Sequence, residues 1–171
     1  GMGSNSSGQL GLTGILNSEA PVQIASEVVS FAAGTRHTAY VKLDGTLWTL
    51  GANSSGQLCD STHPGIPAKS VASDVTRVYA GERATYFVKV DGSLWAAGQN
   101  FIGQLGDGTT TTRTTPVPVA SNVAAVSANA SSVVILKNDH GLLAAGSNPY
   151  GQLGDGTTVD RVAPVVTKTD T

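Results

Sequence analysis

Short apolar runs alternate along the chain with polar, glycine-rich turns. Val28 to Gly34, Val75 to Gly81 and Val123 to Asn129 are the first run of three matching stretches. Each is followed by a longer pattern, His37 to Trp48, Ala84 to Trp95 and Ser132 to Leu143. Thr38, Tyr40, Val41, Thr85, Tyr86, Phe87, Val88, Val133, Val134 and Ile135 are β-branched or aromatic, so these segments predict strands. Asp44-Gly45 and Asp91-Gly92 predict two-residue hairpins of type I′, which need positive φ at both central positions. In the third stretch His140 stands where glycine stood, and Asn138-Asp139-His140-Gly141 predicts a wider loop ending at Gly141. No segment sustains a helical period of 3.6 over eleven residues.

The stretches belong to a larger repeat. The pattern Gly-x-Asn-x-x-Gly-Gln-Leu starts at Gly3, Gly51, Gly98 and Gly146, spacings of 48, 47 and 48 residues. Pro21, Pro67, Pro116 or Pro118, and Pro164 each precede a further short apolar run. Each unit therefore reads as one strand after the proline followed by a three-stranded meander. A lone four-stranded sheet cannot bury both faces, whereas copies packed face to face around an axis can. The period suits a β-propeller better than the shorter, helical repeats. The predicted fold is all-β, with blades of four antiparallel strands. About three and a half repeats span residues 3–50, 51–97, 98–145 and a partial 146–171. Gly1 and Met2 read as a tag scar and are set apart.

Gly-x-Asn-x-x-Gly-Gln-Leu-Gly-Asp-Gly-Thr, a proline-led strand, Ala-Gly-x-x-His-Thr and Asp-Gly-x-Leu-Trp together resemble the regulator of chromosome condensation repeat. Gly103 to Thr109 and Gly151 to Thr157 match best. Cys59, Asp60 and Ser61 depart from Gly-Asp-Gly; Ala84 and Ser132 replace the histidine kept at His37; Asn129 replaces the glycine kept at Gly34 and Gly81. The resemblance implies four-stranded propeller blades, usually seven to a ring. It implies function less closely, because one scaffold carries many activities. Members include a nuclear guanine-nucleotide exchange factor, secreted bacterial β-lactamase inhibitors and repeat regions of surface proteins. The Gly-Asp-Gly-Thr-Thr loops and the scarce lysines look more like the bacterial surface or secreted members.

Three blades and one strand cannot close a seven-bladed ring, and the terminal blade faces would form an exposed apolar patch. Self-association through those faces is one expectation, a symmetric pair closing six or eight blades. In that case Pro164 to Thr167 of one chain could complete a sheet of the other. A piece of a longer propeller is the other expectation.

Composition narrows the function. Hydrophobic residues make up 40% and charged ones 13%, too apolar for disorder. The net charge is −2, with no basic stripe, which argues against nucleic acid as a partner. No apolar run approaches the ~20 residues of a membrane-spanning helix, and no signal peptide opens the chain. The single cysteine, Cys59, excludes an internal disulfide and a cysteine-based zinc cluster and leaves the compartment open. The wealth of Thr, Ser, Gly and Asn leans towards an extracellular or cell-surface setting.

Candidate chemistry is sparse. His37, His63 and His140 fall at unrelated repeat positions without metal-ligand spacing, and His37 reads as a structural residue that fixes loop backbone. Asp107 and Asp155 supply one carboxylate per loop, which suits a turn better than calcium. The loops lack the lysine of a phosphate-binding loop. Asn5-Ser6-Ser7, Asn53-Ser54-Ser55 and Asn129-Ala130-Ser131 fit the glycosylation pattern, the first two as products of the repeat. Asn5, Asn53, Asn100 and Asn148 recur at one position, as do Gln9, Gln57, Gln104 and Gln152. Recurrence marks scaffold amides that satisfy loop backbone. Function should sit where copies differ: Arg36, Arg83, Phe101 and Tyr150 are the candidate partner-binding residues. The reading is a non-catalytic protein-interaction module, with no catalytic set, metal or cofactor. Its alternatives are an exchange factor for a small GTPase, a β-lactamase inhibitor and a structural spacer.

Overall fold

The computed structural model describes residues 1–62 and 64–167; His63 lies outside the described residues. Three four-stranded antiparallel sheets form successive blades. Blade I holds β3 (Val28–Ala33), β4 (His37–Lys42), β5 (Leu47–Gly51) and β6 (Lys69–Ala72). Blade II holds β7 (Val75–Ala80), β8 (Ala84–Lys89), β9 (Leu94–Gly98) and β10 (Arg113–Ala120). Blade III holds β11 (Val123–Ala128), β12 (Ser132–Lys137), β13 (Leu142–Gly146) and β14 (Arg161–Val166). Residues 1–25 precede them as a loop and rim segment, with only β1 (Gly3–Ser4) and β2 (Asn17–Ser18) paired. Gly1 and Val22 exchange two backbone hydrogen bonds, each 2.7 Å, so Gly1 belongs to this rim.

The strand grouping differs from the sequence expectation in one respect. The strands at Pro67, at Pro116 and Pro118, and at Pro164 each join the preceding meander as its outermost strand instead of opening the next one, and the strand expected after Pro21 does not form. The long Gly-x-Asn loop folds back and lays that strand beside the end of the hairpin it has just left. For the same reason β14 is taken up within its own chain, with Val165 opposite Ala144 and Val166 opposite Leu143. The expected exchange of Pro164 to Thr167 between chains is thereby corrected. Prolines fall on or beside these outer strands, at Pro67, Pro116, Pro118 and Pro164. A missing N–H costs least there, because one edge has no ladder partner.

The cores lie between blades. Ala39, Val41 and Leu47 of blade I pack on Val75, Val78 and Phe87 of blade II. Tyr86, Val88 and Leu94 of blade II pack on Val126, Val133 and Ile135 of blade III. Polar bonds cross the same seams one period apart. Ser30 Oγ accepts Val78 N–H at 3.1 Å, and Arg77 Nη1 donates to Ala124 O at 2.6 Å.

The hairpins also differ from expectation. Gly45 N–H bonds Lys42 O at 2.9 Å and Lys42 N–H bonds Thr46 O at 3.0 Å, closing a three-residue loop with only Gly45 in the left-handed region. This is a type I turn followed by a glycine bulge. Gly92 repeats it in blade II. Blade III keeps the same loop instead of the wider one. His140 N–H bonds Lys137 O at 3.1 Å and His140 takes φ +67° itself. Asp139 compensates by accepting Gly141 N–H at 3.0 Å, as Asp44 accepts Thr46 N–H. Since an L side chain at positive φ costs about 1 kcal/mol, His140→Gly is expected to stabilise the chain by about that much. A rise in urea midpoint with an unchanged m-value would show it.

Candidate functional site

Strand direction places the β3–β4, β5–β6, β7–β8, β9–β10, β11–β12 and β13–β14 connections at one end of the array. Backbone bonds tie neighbouring connections together there. Arg36 O accepts Ala52 N–H at 2.8 Å, Arg83 O accepts Gln99 N–H at 3.0 Å, and Ser131 O accepts Ser147 N–H at 2.9 Å. Arg36, Arg83, Phe101 and Tyr150 therefore all lie at this loop end. Tyr150 is 93% exposed and Phe101 68%. Arg83 pairs with its neighbour Glu82 at 3.7 Å.

Beneath these side chains the loops are held by the recurring amides. Asn5, Asn53, Asn100 and Asn148 each accept the N–H of the leucine five residues on, at 2.8 to 3.0 Å. Gln9, Gln57, Gln104 and Gln152 each accept the N–H two residues back, at 2.9 to 3.1 Å. The Asn100 amide also donates to Asp107 Oδ1, Thr109 O and Thr111 O. Of the three glycosylation patterns, Asn5 is buried in its loop while Asn129 is exposed.

The carboxylates complete the clamp. Asp107 Oδ1 accepts Thr109 N–H and Oγ1, and its Oδ2 accepts Arg113 Nε at 2.6 Å. Asp155 repeats this with Thr157 and Arg161, and Asp60 with Thr62 and Lys69. Partial burial works against the charged form of Asp107, but bonds from Thr109, Arg113 and Asn100 outweigh it and lower its pKa. The Thr157 hydroxyl and Arg161 hold Asp155 well below the usual carboxylate range, and Lys69 with Thr62 does so for Asp60. Nothing in the repeat pattern singles out Arg113, Arg161 and Lys69. Their only signal is a basic residue six to nine positions after each loop aspartate.

His37 lies inside the seam between blades I and II, with Nε2 2.9 Å from Thr85 Oγ1, which in turn donates to Gln57 O at 2.7 Å. A Cβ on Gly34 would come within 2.3 Å of His37 Nδ1, so the histidine needs that glycine. Blade III replaces the pair together: Asn129 Nδ2 donates to Ser132 Oγ at 3.0 Å. Burial lowers the His37 pKa to about 4. Its folded pKa lies below the unfolded value, so its contribution is intact above about pH 6.5 and is lost as pH falls towards 4. The slope reaches at most about 1.4 kcal/mol per pH unit. Below that window the loop carboxylates add their own loss. Urea midpoints at pH 7.5 and 5 should therefore differ in the native chain. They should differ less in His37→Ala, which copies Ala84 of blade II.

Cys59 occupies the left-handed position (φ +65°) that Gly11, Gly106 and Gly154 take in the other copies. Burial pushes its thiol pKa up to about 12, which leaves it unreactive. No group of three or more His, Cys, Asp or Glu side chains could hold a metal among the described residues.

Models of protein families match the chain to the Regulator of chromosome condensation (RCC1) repeat over residues 1–41 and 91–136, and to a second form of that repeat over 28–57. No curated protein matches the chain in sequence. Among solved structures, human WBSCR16 is 20% identical, over 98% of this chain and 48% of that one, with a TM-score of 0.82. Prp20p from Saccharomyces cerevisiae is 18% identical, over 91% of this chain and 42% of that one, with a TM-score of 0.75. Yeast RCC1 (Prp20) bound to Kap60 gives 18%, 91%, 40% and 0.74. The chain spans less than half the length of each of these proteins. Identities this low speak for the fold alone, and the fold is that of propeller blades. The repeat model itself covers just over half of the residues, and on that ground the chain belongs to the RCC1 repeat family.

Proposed function

We propose that this chain is a non-catalytic protein-interaction module that holds a protein partner at its loop end. The observation that carries this is the contrast within each loop. Asparagine and glutamine fix the backbone in the same way from copy to copy, while the exposed tips change from serine to Phe101 and Tyr150 at the loop end that also carries Arg36 and Arg83. A rigid base with variable aromatic and arginine tips is the usual build of a binding surface, since these side chains cover large area at low entropic cost. Protein binding by relatives of this fold supports the reading: Prp20p binds Gsp1p and histones, and yeast RCC1 is found with Kap60. We further propose that the array associates with itself through the faces that end it.

Alanine at all four positions is expected to abolish capture of the partner while leaving the unfolding free energy within about 0.5 kcal/mol per substitution of the native value, as for surface substitutions generally. A captured protein retained equally by the native and fourfold variant chains would refute the assignment. The Prp20p likeness favours one second reading, guanine-nucleotide exchange. Accelerated nucleotide release from a small GTPase on adding this chain would establish it in place of the simple module.

A further inference from the structure

The two ends of the array are the two halves of a seam that the chain builds twice inside itself. Phe31 on the free face of blade I is 80% exposed, whereas Val78 and Val126 at its repeat positions are 3% and 8% exposed. Leu136 and Leu142 on the free face of blade III are 37% and 36% exposed, whereas Val88 and Leu94 at theirs are 5% and 0%. The first face is the receiving side of a seam and the second is the delivering side. They differ from each other, and each has its complement at the opposite end of the same chain.

Residues 1–25 stand in for a preceding blade on the receiving side, but only in part. A Cβ on Gly8 would meet Ile66 at 2.7 Å, as one on Gly56 would meet Thr114 at 2.5 Å and one on Gly103 would meet Val162 at 2.6 Å. Thr38 Oγ1 donates to Gln9 O at 2.7 Å, as Thr85 Oγ1 does to Gln57 O. The loop and rim of a blade are thus present without its inner strands. A groove of about 590 Å³ remains, with Leu10, Ile24, Phe31 and Tyr40 in its wall. At the delivering end Gly151 has no such neighbour, its nearest atom being Thr157 O at 3.7 Å. The two equivalent loops also differ in strength. The Asn148 amide donates to Asp155, which also holds Arg161, while the Asn5 amide donates to the backbone carbonyls of Leu12 and Ile15.

We propose that two copies of the chain join head to tail. Blade III of one docks on blade I of the other, and its better-braced loop takes the place of residues 1–25 against Ile66. Its inner strands then cover Phe31. The proposal rests on the self-association put forward above and gives it a direction and a register. The contact is heterologous, so two such contacts closing on one another make a six-bladed ring, within the four to eight blades usual for propellers.

Light scattering coupled to size exclusion tests it on the full chain. The native chain is expected at twice 17.3 kDa. Phe31→Glu and Leu142→Glu should each give a monomer with native circular dichroism. Mixed one to one, they should recover a dimer, because each still carries the face the other lacks. Gly151→Val should weaken the dimer. Gly8→Val, which loosens the stand-in loop, should strengthen it. A native monomer at every concentration overturns self-association and the proposal together, and assigns these faces to further blades of one polypeptide. A native dimer whose two variants do not complement overturns the head-to-tail arrangement alone.

Discussion

Asn100→Leu is expected to destabilise the chain by about 3–5 kcal/mol, a large part of what a domain of this size commands. The side chain is fully buried and closes one loop from both sides. Its oxygen takes Leu105 N–H at 2.9 Å, and its amide reaches Asp107 Oδ1, Thr109 O and Thr111 O at 2.8 to 3.2 Å. Leucine keeps the branched four-atom shape, though it is bulkier, and leaves those groups without a partner, and an unmet buried donor or acceptor costs about 1–3 kcal/mol. Asp107 also loses a donor and so part of its hold on Arg113. Thermal or urea unfolding measures the loss directly. Asn129→Ala is the contrasting variant: that asparagine is exposed, and its change should cost about 1 kcal/mol or less. Equal losses at the two positions would show that the buried network is not what holds the loop.

Gly146→Ala is expected to cost about 4 kcal/mol and to leave much of the chain unfolded at moderate urea. Two causes add. Gly146 has φ +108°, which L side chains rarely adopt, and a Cβ there would come within 2.2 Å of Ser131 O and 2.7 Å of Ser132 Cα. The neighbour is backbone within the same blade, so it cannot swing aside. Gly51 and Gly98 meet Arg36 O and Arg83 O in the same way. Gly108→Ala separates the causes. Its φ is +81° but nothing lies within 4 Å of the added carbon, so only the conformational penalty of about 1 kcal/mol remains. A Gly146→Ala variant as stable as Gly108→Ala would mean that the β12–β13 ladder gives way at no cost.

Much of this architecture is legible in the sequence because a repeat reports the same environment several times. Four occurrences of Gly-x-Asn-x-x-Gly-Gln-Leu distinguish a scaffold amide from a functional one, a distinction a single Asn100 could not support. Which strand belongs to which sheet is less legible. The proline-bearing strand lies a long loop after the hairpin it joins but only two residues before the next meander, so nearness in sequence points to the wrong sheet. The turn type is ambiguous in the sequence because Asp-Gly suits both a two-residue hairpin and the last two positions of a three-residue loop; the backbone bond from Gly45 to Lys42 decides it. His140 was expected to widen its loop, but Asp139 and the strand pairing on either side hold the backbone while the histidine absorbs the strain. At the candidate site, the tips Phe101 and Tyr150 could be found by looking for what fails to repeat. The ion pairs of Arg113 and Arg161 could not, since nothing in their spacing says that the chain turns back on itself there. Phe31 escaped notice for a related reason: it is an ordinary core residue by position, and only the lack of a neighbouring blade among the described residues leaves it bare.

The prolines of the outer strands decide the direction in which this molecule can grow. A rim that presents Pro116, Pro118 and Pro164 offers an interrupted row of donors, so a foreign strand arriving sideways finds no continuous ladder to extend. The sheets are blunt radially and adhesive circumferentially. Molecules brought to high concentration should therefore add blade after blade around an axis, as arcs or closed discs, and should resist conversion into the cross-β ribbons to which a chain so rich in short β-strands would otherwise be prone.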